Sequence, residues 1–181
     1  MTSPDLTHAV RFDLSTGMVS HEGGASVVIS AKAFGELIAA VSADTRASIA
    51  SDLGAAMGAR IQKHSGGEKG VRSASLESVV TSLSGELAIA GFGTVTLERW
   101  GRAMVVHVAH SSIQAPDFIA VLVTSAISAS TGAAAFSTVL SKQDGVRVLI
   151  ASRAAAERAR KWLDEGVTWG DAVSRLQGGA S

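Results

Sequence analysis

The 181-residue chain contains no cysteine. That absence excludes disulfides, thiolate zinc sites, iron–sulfur ligation and cysteine nucleophiles. Net charge is also missing: 16 Lys plus Arg face 16 Asp plus Glu. A chain without a bulk positive field does not gather phosphates, so nucleic acid is not expected as a partner. Weak repulsion between copies instead favours self-association. No uninterrupted apolar stretch approaches the roughly 20 residues needed to cross a bilayer. The opening "MTSPDLTHAVRFDL" lacks a basic segment followed by an apolar run. No secretory signal is therefore expected, and the cytoplasm is the expected location. Internal repeats and low-complexity linkers are absent as well.

What is present points to a folded globule. Hydrophobic residues make up 46% of the chain and charged residues 18%, a balance that disordered chains do not show. The length suits one domain over 1–181, with residues 1–8 expected to be disordered and 152–181 forming a C-terminal helical extension.

The patterning alternates between period two and period 3.6. "VRFDLSTGMVSHEGGASVVIS" reads as strand, turn, strand: Ser15 to Gly17 supply the turn, Gly23 and Gly24 a second break, and "ASVVIS" a β-branched strand. In "AKAFGELIAAV", Phe34, Leu37, Ile38 and Val41 mark one helical face. Ser42 or Asp44 is placed to cap the next helix, where Ile49, Leu53, Met57 and Ile61 form an apolar stripe. Gly54 and Gly58 beside it predict a close approach of another backbone, inside the monomer rather than at a dimer face. "SGGEKG" reads as a flexible turn; without a Gly-Lys-Ser/Thr ending it is no phosphate loop. A third helix, "SLESVVTSLSGELAIA", is stopped by "GFG".

Then follows a hairpin, "TVTLERW" and "AMVVHVAHS". Pro116 and Asp117 open an apolar, central helix ending near Gly132. "AAFSTVLSKQDGVRVLIAS" is a second hairpin turning at Asp144-Gly145. Ser152 caps "RAAAERARKWLDEG", and Thr168 with Asp171 caps "WGDAVSRL". Hairpins outnumber crossovers, so the predicted class is α+β: an antiparallel sheet packed with about six helices.

Chemistry is harder to find. "MVVHVAHSS" holds His107 and His110, three apart. On a strand an odd separation puts the two rings on opposite faces, so they are not expected to share an ion. His8, His21 and His64 fall in apparent loops with no carboxylate or serine at a diagnostic spacing. No "GxSxG" elbow occurs. No catalytic, cofactor-binding or metal residue is assigned, and no cofactor is expected. Trp100 lies by a turn, while Trp162 and Trp169 are expected to clamp the last two helices. These three, with His107, His110 and Phe118, are the candidates for an interface or a ligand pocket.

The segment "FDLSTGMVSHEGGASVVISAKAFGELIAAV", a long helix, and "SLSGELAIAGFGTVTLERWGRAMVVHVAHSS" together resemble a known arrangement. It is similar to the bacterial vinyl-reductase-type ligand-binding domain and to the core subunits of the TRAPP vesicle-tethering complex, over about residues 10 to 151. The resemblance implies an α+β, dimer-forming module that binds small apolar molecules or proteins and is not usually an enzyme. Its sensor branch holds zinc through cysteines near the final hairpin. This chain has none there, which argues against the metal-bearing version.

The leading expectation is a non-catalytic interaction module that forms a homodimer and docks onto a protein partner. The alternative is a sensor for a small apolar molecule, held between the sheet and the helix of residues 116–131. An enzyme of unknown class comes third.

Overall fold

In the computed structural model the described residues are 9–22, 24–101 and 103–178, the Leu76 side chain excepted. The expected tail 1–8 and the Gly23 break lie outside them. Among the described residues the chain forms two antiparallel sheets and seven helices, which bears out the α+β class. The helix count is one above expectation, and the strands divide into two sheets.

The first sheet is small. β1 (Val10–Asp13), β2 (Met18–His21) and β3 (Gly24–Ser26) pair in chain order. The predicted strand "ASVVIS" stops at Ser26: Val27, Val28 and Ile29 are 88%, 68% and 50% exposed. β-branched residues suit a strand only where a surface exists to pack against, and the chain runs out from the sheet here.

The second sheet organises the rest. β4 (Thr94–Trp100), β5 (Ala103–Ala109), β6 (Phe136–Ser141) and β7 (Val146–Ala151) lie in the order β4-β5-β7-β6. Thr94 pairs with Ala109 and Trp100 with Ala103, so the expected ribbon is there. At the second hairpin Asp144 and Gly145 both take positive φ, +53° and +106°, the conformation for which an Asp-Gly turn is suited.

One face of this sheet receives α5 (Pro116–Thr131), which is apolar nearly all round. Ile119, Leu122 and Val123 are fully buried with Val106, Val108 and Val148. Each such side chain contributes about 1.5–3 kcal/mol on leaving water. On its other side α5 meets α2 (Ala43–His64), through Ala50, Gly54, Met57, Gly58 and Ile61. A Cβ on Gly54 would come within 2.9 Å of the Ser125 Cβ, and one on Gly58 within 2.7 Å of the Ala129 Cβ. The two glycines therefore serve a crossing inside the monomer, as their spacing predicts. Ser42 caps α2, its hydroxyl accepting the Thr45 N–H (3.1 Å).

α1 (Ala31–Ala40) lies over this layer and is lightly attached. Ile38 is buried, but Leu37, expected on the inward face, is 52% exposed. The helix touches the body along a seam narrower than its apolar pattern. α4 (Leu76–Ile89) packs beside β4.

Between α2 and α4 the expected turn "SGGEKG" instead enters a short helix, α3 (Glu68–Ser73). Val71 is buried there, at 3% exposure, so tertiary contact overrides the local glycines.

The opposite face of the sheet is covered by α6 (Arg153–Asp164) and α7 (Trp169–Gly178). Ala159 and Val173 pack on Val105 and Leu149. The C-terminal helices thus complete the sheet's second side. Their caps are as expected: Ser152 accepts from Ala155 (3.4 Å), and Thr168 and Asp171 bond reciprocally.

Candidate functional site

The six candidate residues separate into four places. Trp100, His107 and Trp169 gather on the outer face of the sheet. The rings of Trp100 and Trp169 meet edge to face, centroids 4.9 Å apart. The Arg147 guanidinium lies 5.7 Å from the Trp169 ring and bonds the Glu98 carboxylate (3.2 Å). His107 Nε2 donates to the Asp144 carbonyl oxygen (2.7 Å), and its Nδ1 is 3.7 Å from Glu98. Gln177 of α7 donates to the Trp100 carbonyl. Every polar group named here has a partner, so this cluster fastens α7 to the hairpin.

Trp162 is half-buried, with Arg175 of α7 at 5.8 Å from its ring. This contact joins α6 to α7. His110 follows β5 with φ +57° and is exposed. It borders a depression with Ser111, Lys142 and Gly145, whereas His107 points to the outer face with Val105.

Phe118 marks the fourth place. It lies in the first turn of α5, and its ring meets those of Phe34 and Phe92 at 5.8 and 5.9 Å; Phe34 and Phe92 stand 5.6 Å apart. Three helices or turns (α1, the "GFG" bend and α5) thus share one aromatic knot. Above it, between α1 and the segment 112–118, opens a cleft of about 500 Å³. Ile38, Ile113 and Phe118 lie at its base, and Lys32, Glu36, Arg46 and Asp117 stand around its mouth. Arg46 also secures α1, donating to the carbonyls of Ile38 (2.9 Å) and Val41 (3.3 Å).

The cleft is not where the ligand pocket was expected. The space between the sheet and α5 is closed by fully buried valine, leucine and isoleucine side chains. A volume of this size falls in the range that takes a small molecule. Sequence reasoning selected Phe118 but missed Ile38, Arg46 and Ile113 as its neighbours. The apolar face of α1 that includes Phe34 and Ile38 was the available signal.

Elsewhere, His21, Glu22 and Glu86 bring their ligand atoms within 4.8 Å of one another. The sequence offered no spacing that would pair them.

No family model and no curated protein matches the chain. Among solved structures it is similar to the phenol-responsive sensory domain of the transcription activator PoxR, solved with phenol. The TM-score is 0.57 at 18% identity, covering 95% of this chain and 93% of that one. At this identity the likeness shows the fold alone. What the two chains share is this α+β arrangement. The finer resemblance drawn from the sequence, to vinyl-reductase-type domains and TRAPP subunits, reduces to that statement. No helix among the described residues is long and apolar enough to cross a membrane.

Proposed function

We infer that the chain is a sensory domain that binds a small apolar molecule in the cleft beneath α1. The observation that carries this reading is the cleft of about 500 Å³ with Ile38, Ile113 and Phe118 at its base. An apolar base with a few polar groups at the mouth is the usual build of a small-molecule site. The fold shared with a phenol-responsive domain supports the same reading. A ring with one polar substituent fits the chemistry: the ring faces Phe118 and Ile38, and the substituent meets Arg46 or Asp117. Because α1 is held mainly by Phe34, Ile38 and the Arg46 bonds, a bound molecule changes how firmly this helix is seated. That change is the signal a sensor needs.

Gly35 gives a clean test. It lines the cleft, and a Cβ there would meet nothing within 4 Å. Gly35→Trp therefore adds a large side chain at the cleft wall from a Cβ position that is free of contacts. Calorimetric titration with phenol and toluene is expected to show binding to the wild-type chain, weakened about tenfold or more in Gly35→Trp. No binding of either compound, or equal binding to the variant, would refute the reading.

A second reading has its own support. Phe12, Leu14, Met18 and Val27 are 61%, 92%, 56% and 88% exposed. Apolar exposure on this scale marks a contact surface, consistent with a homodimer or a docked protein partner. Light scattering that gives a dimer mass would favour it, and a monomer at high concentration would count against it.

A further inference from the structure

We propose that His21, Glu22 and Glu86 form a binding site for a divalent transition-metal ion of the zinc class, which ties the first sheet to helix α4. The proposal stands apart from the ligand cleft and does not rest on it.

The three groups reach the place from different elements. His21 ends β2, paired with Val10 of β1 and Gly24 of β3. Glu22 occupies the turn that follows, with φ +49°, and its N–H bonds the Ala9 carbonyl (3.2 Å). Glu86 comes from α4 and is 3% exposed. One ligand atom from each lies within 4.8 Å of the other two. Zinc bonds of about 2.0–2.2 Å need ligand atoms roughly 3.2–3.6 Å apart in a tetrahedron. Rotating two glutamates by about an ångström closes that gap.

The decisive observation is the His21 ring. Its Nε2 is fully buried and has no hydrogen-bond partner. A buried nitrogen left unpaired costs about 1–3 kcal/mol, and an ion bound through it would remove that cost. The carboxylates beside it are already oriented. Arg60 of α2 grips Glu86 through Nε (2.9 Å) and Nη2 (2.6 Å), both on the same oxygen, Oε2. His64, the last residue of α2, bonds Oε1 of Glu22. A basic side chain thus holds one oxygen of each carboxylate. Such support is the usual surrounding of ligating carboxylates. One imidazole and two carboxylates suit zinc, manganese or ferrous iron, with the fourth position left to water.

The position explains a use. The first sheet carries several exposed apolar side chains, and its link to α1 runs through the exposed stretch 27–30. A metal joining β2, its turn and α4 would fix that sheet to the body. No cysteine is required, and the site is far in sequence from the final hairpin.

The test uses the full chain, stripped with chelator and titrated with zinc chloride by calorimetry. Cobalt(II) absorption serves as a second readout of coordination. The wild type is expected to bind one ion. His21→Ala and Glu22→Gln are expected to lose stoichiometric binding. His64→Ala, which removes a supporting contact, is expected to weaken binding about 10- to 100-fold. His110→Ala, at an exposed histidine elsewhere, is expected to leave binding unchanged. Circular dichroism checks folding, and should His21→Ala fail to fold, Glu22→Gln in the turn decides. Absence of zinc and cobalt binding by the wild type overturns the proposal. So does binding that survives in both folded His21→Ala and Glu22→Gln, or in Glu22→Gln alone where His21→Ala does not fold.

Discussion

Replacing glycine with alanine inside a helix ordinarily stabilises it by about 0.8–1.0 kcal/mol. The α2–α5 crossing reverses that sign. At Gly54 the added Cβ would come inside contact of the Leu122 carbonyl and within 2.9 Å of the Ser125 Cβ. At Gly58 it would press on the Ala126 carbonyl and reach 2.7 Å from the Ala129 Cβ. Most of these obstacles are backbone or the first side-chain carbon, which no rotamer change can move aside. The helices must separate by about an ångström, and overpacking of this kind costs typically 1–3 kcal/mol. Gly54→Ala and Gly58→Ala are each expected to be destabilised by about 1–2 kcal/mol after the propensity gain is counted. The double variant should lose less than the sum, because one displacement relieves both contacts. Gly35→Ala, in the open part of α1, should gain about 0.5–1 kcal/mol. For a chain of this length each kcal/mol moves Tm by roughly 2–4 °C. Urea and thermal unfolding followed at 222 nm would measure all four variants, with a constant m-value as the check on two-state behaviour. If Gly54→Ala and Gly58→Ala were as stable as Gly35→Ala, the close crossing of α2 and α5 would be refuted.

Other consequences are as direct. Ser42→Ala removes the bond to the Thr45 N–H and should cost about 1 kcal/mol in urea unfolding; no change would mean the cap is idle. A double-mutant cycle on Trp100→Ala and Trp169→Ala should return a coupling of about 0.5–1.5 kcal/mol from their edge-to-face contact, and zero coupling would detach α7 from the hairpin. The Asp13 carboxyl is held below its ordinary range, chiefly by the Ser15 hydroxyl and then by Thr16. A lowered folded pKa gives a contribution that is present above the unfolded value and is lost as pH falls through the folded one. An NMR titration should therefore show the turn after β1 loosening only in acid, with Ser15→Ala moving the Asp13 midpoint upward; an unmoved midpoint would contradict the cause.

Much of this fold was legible because its signals are local. The four-residue recurrence of Ile49, Leu53, Met57 and Ile61 drew α2, and Asp144-Gly145 fixed the second hairpin. What failed depended on distant partners. Val27 to Ile29 read as strand because β-branching says nothing about whether a neighbouring strand exists. α3 was hidden because the burial of Val71 outweighs the glycines around it. Leu37 follows the apolar pattern of α1 but lies outside its contact seam. For the sites the limit was sharper. Phe118 was visible as an aromatic opening a helix, but its cleft is set by α1, some eighty residues earlier. His21 and Glu22 meet Glu86 only because α4 returns past the first sheet, and no spacing in the sequence encodes that return.

The most direct measurement on the ligand-binding account is intermolecular NOE spectroscopy on the isotope-labelled chain with phenol added. Cross-peaks from the phenol ring to the side chains of Phe118, Ile38 and Ile113 are the predicted result. Cross-peaks confined to other residues, or none at saturating phenol, would contradict it.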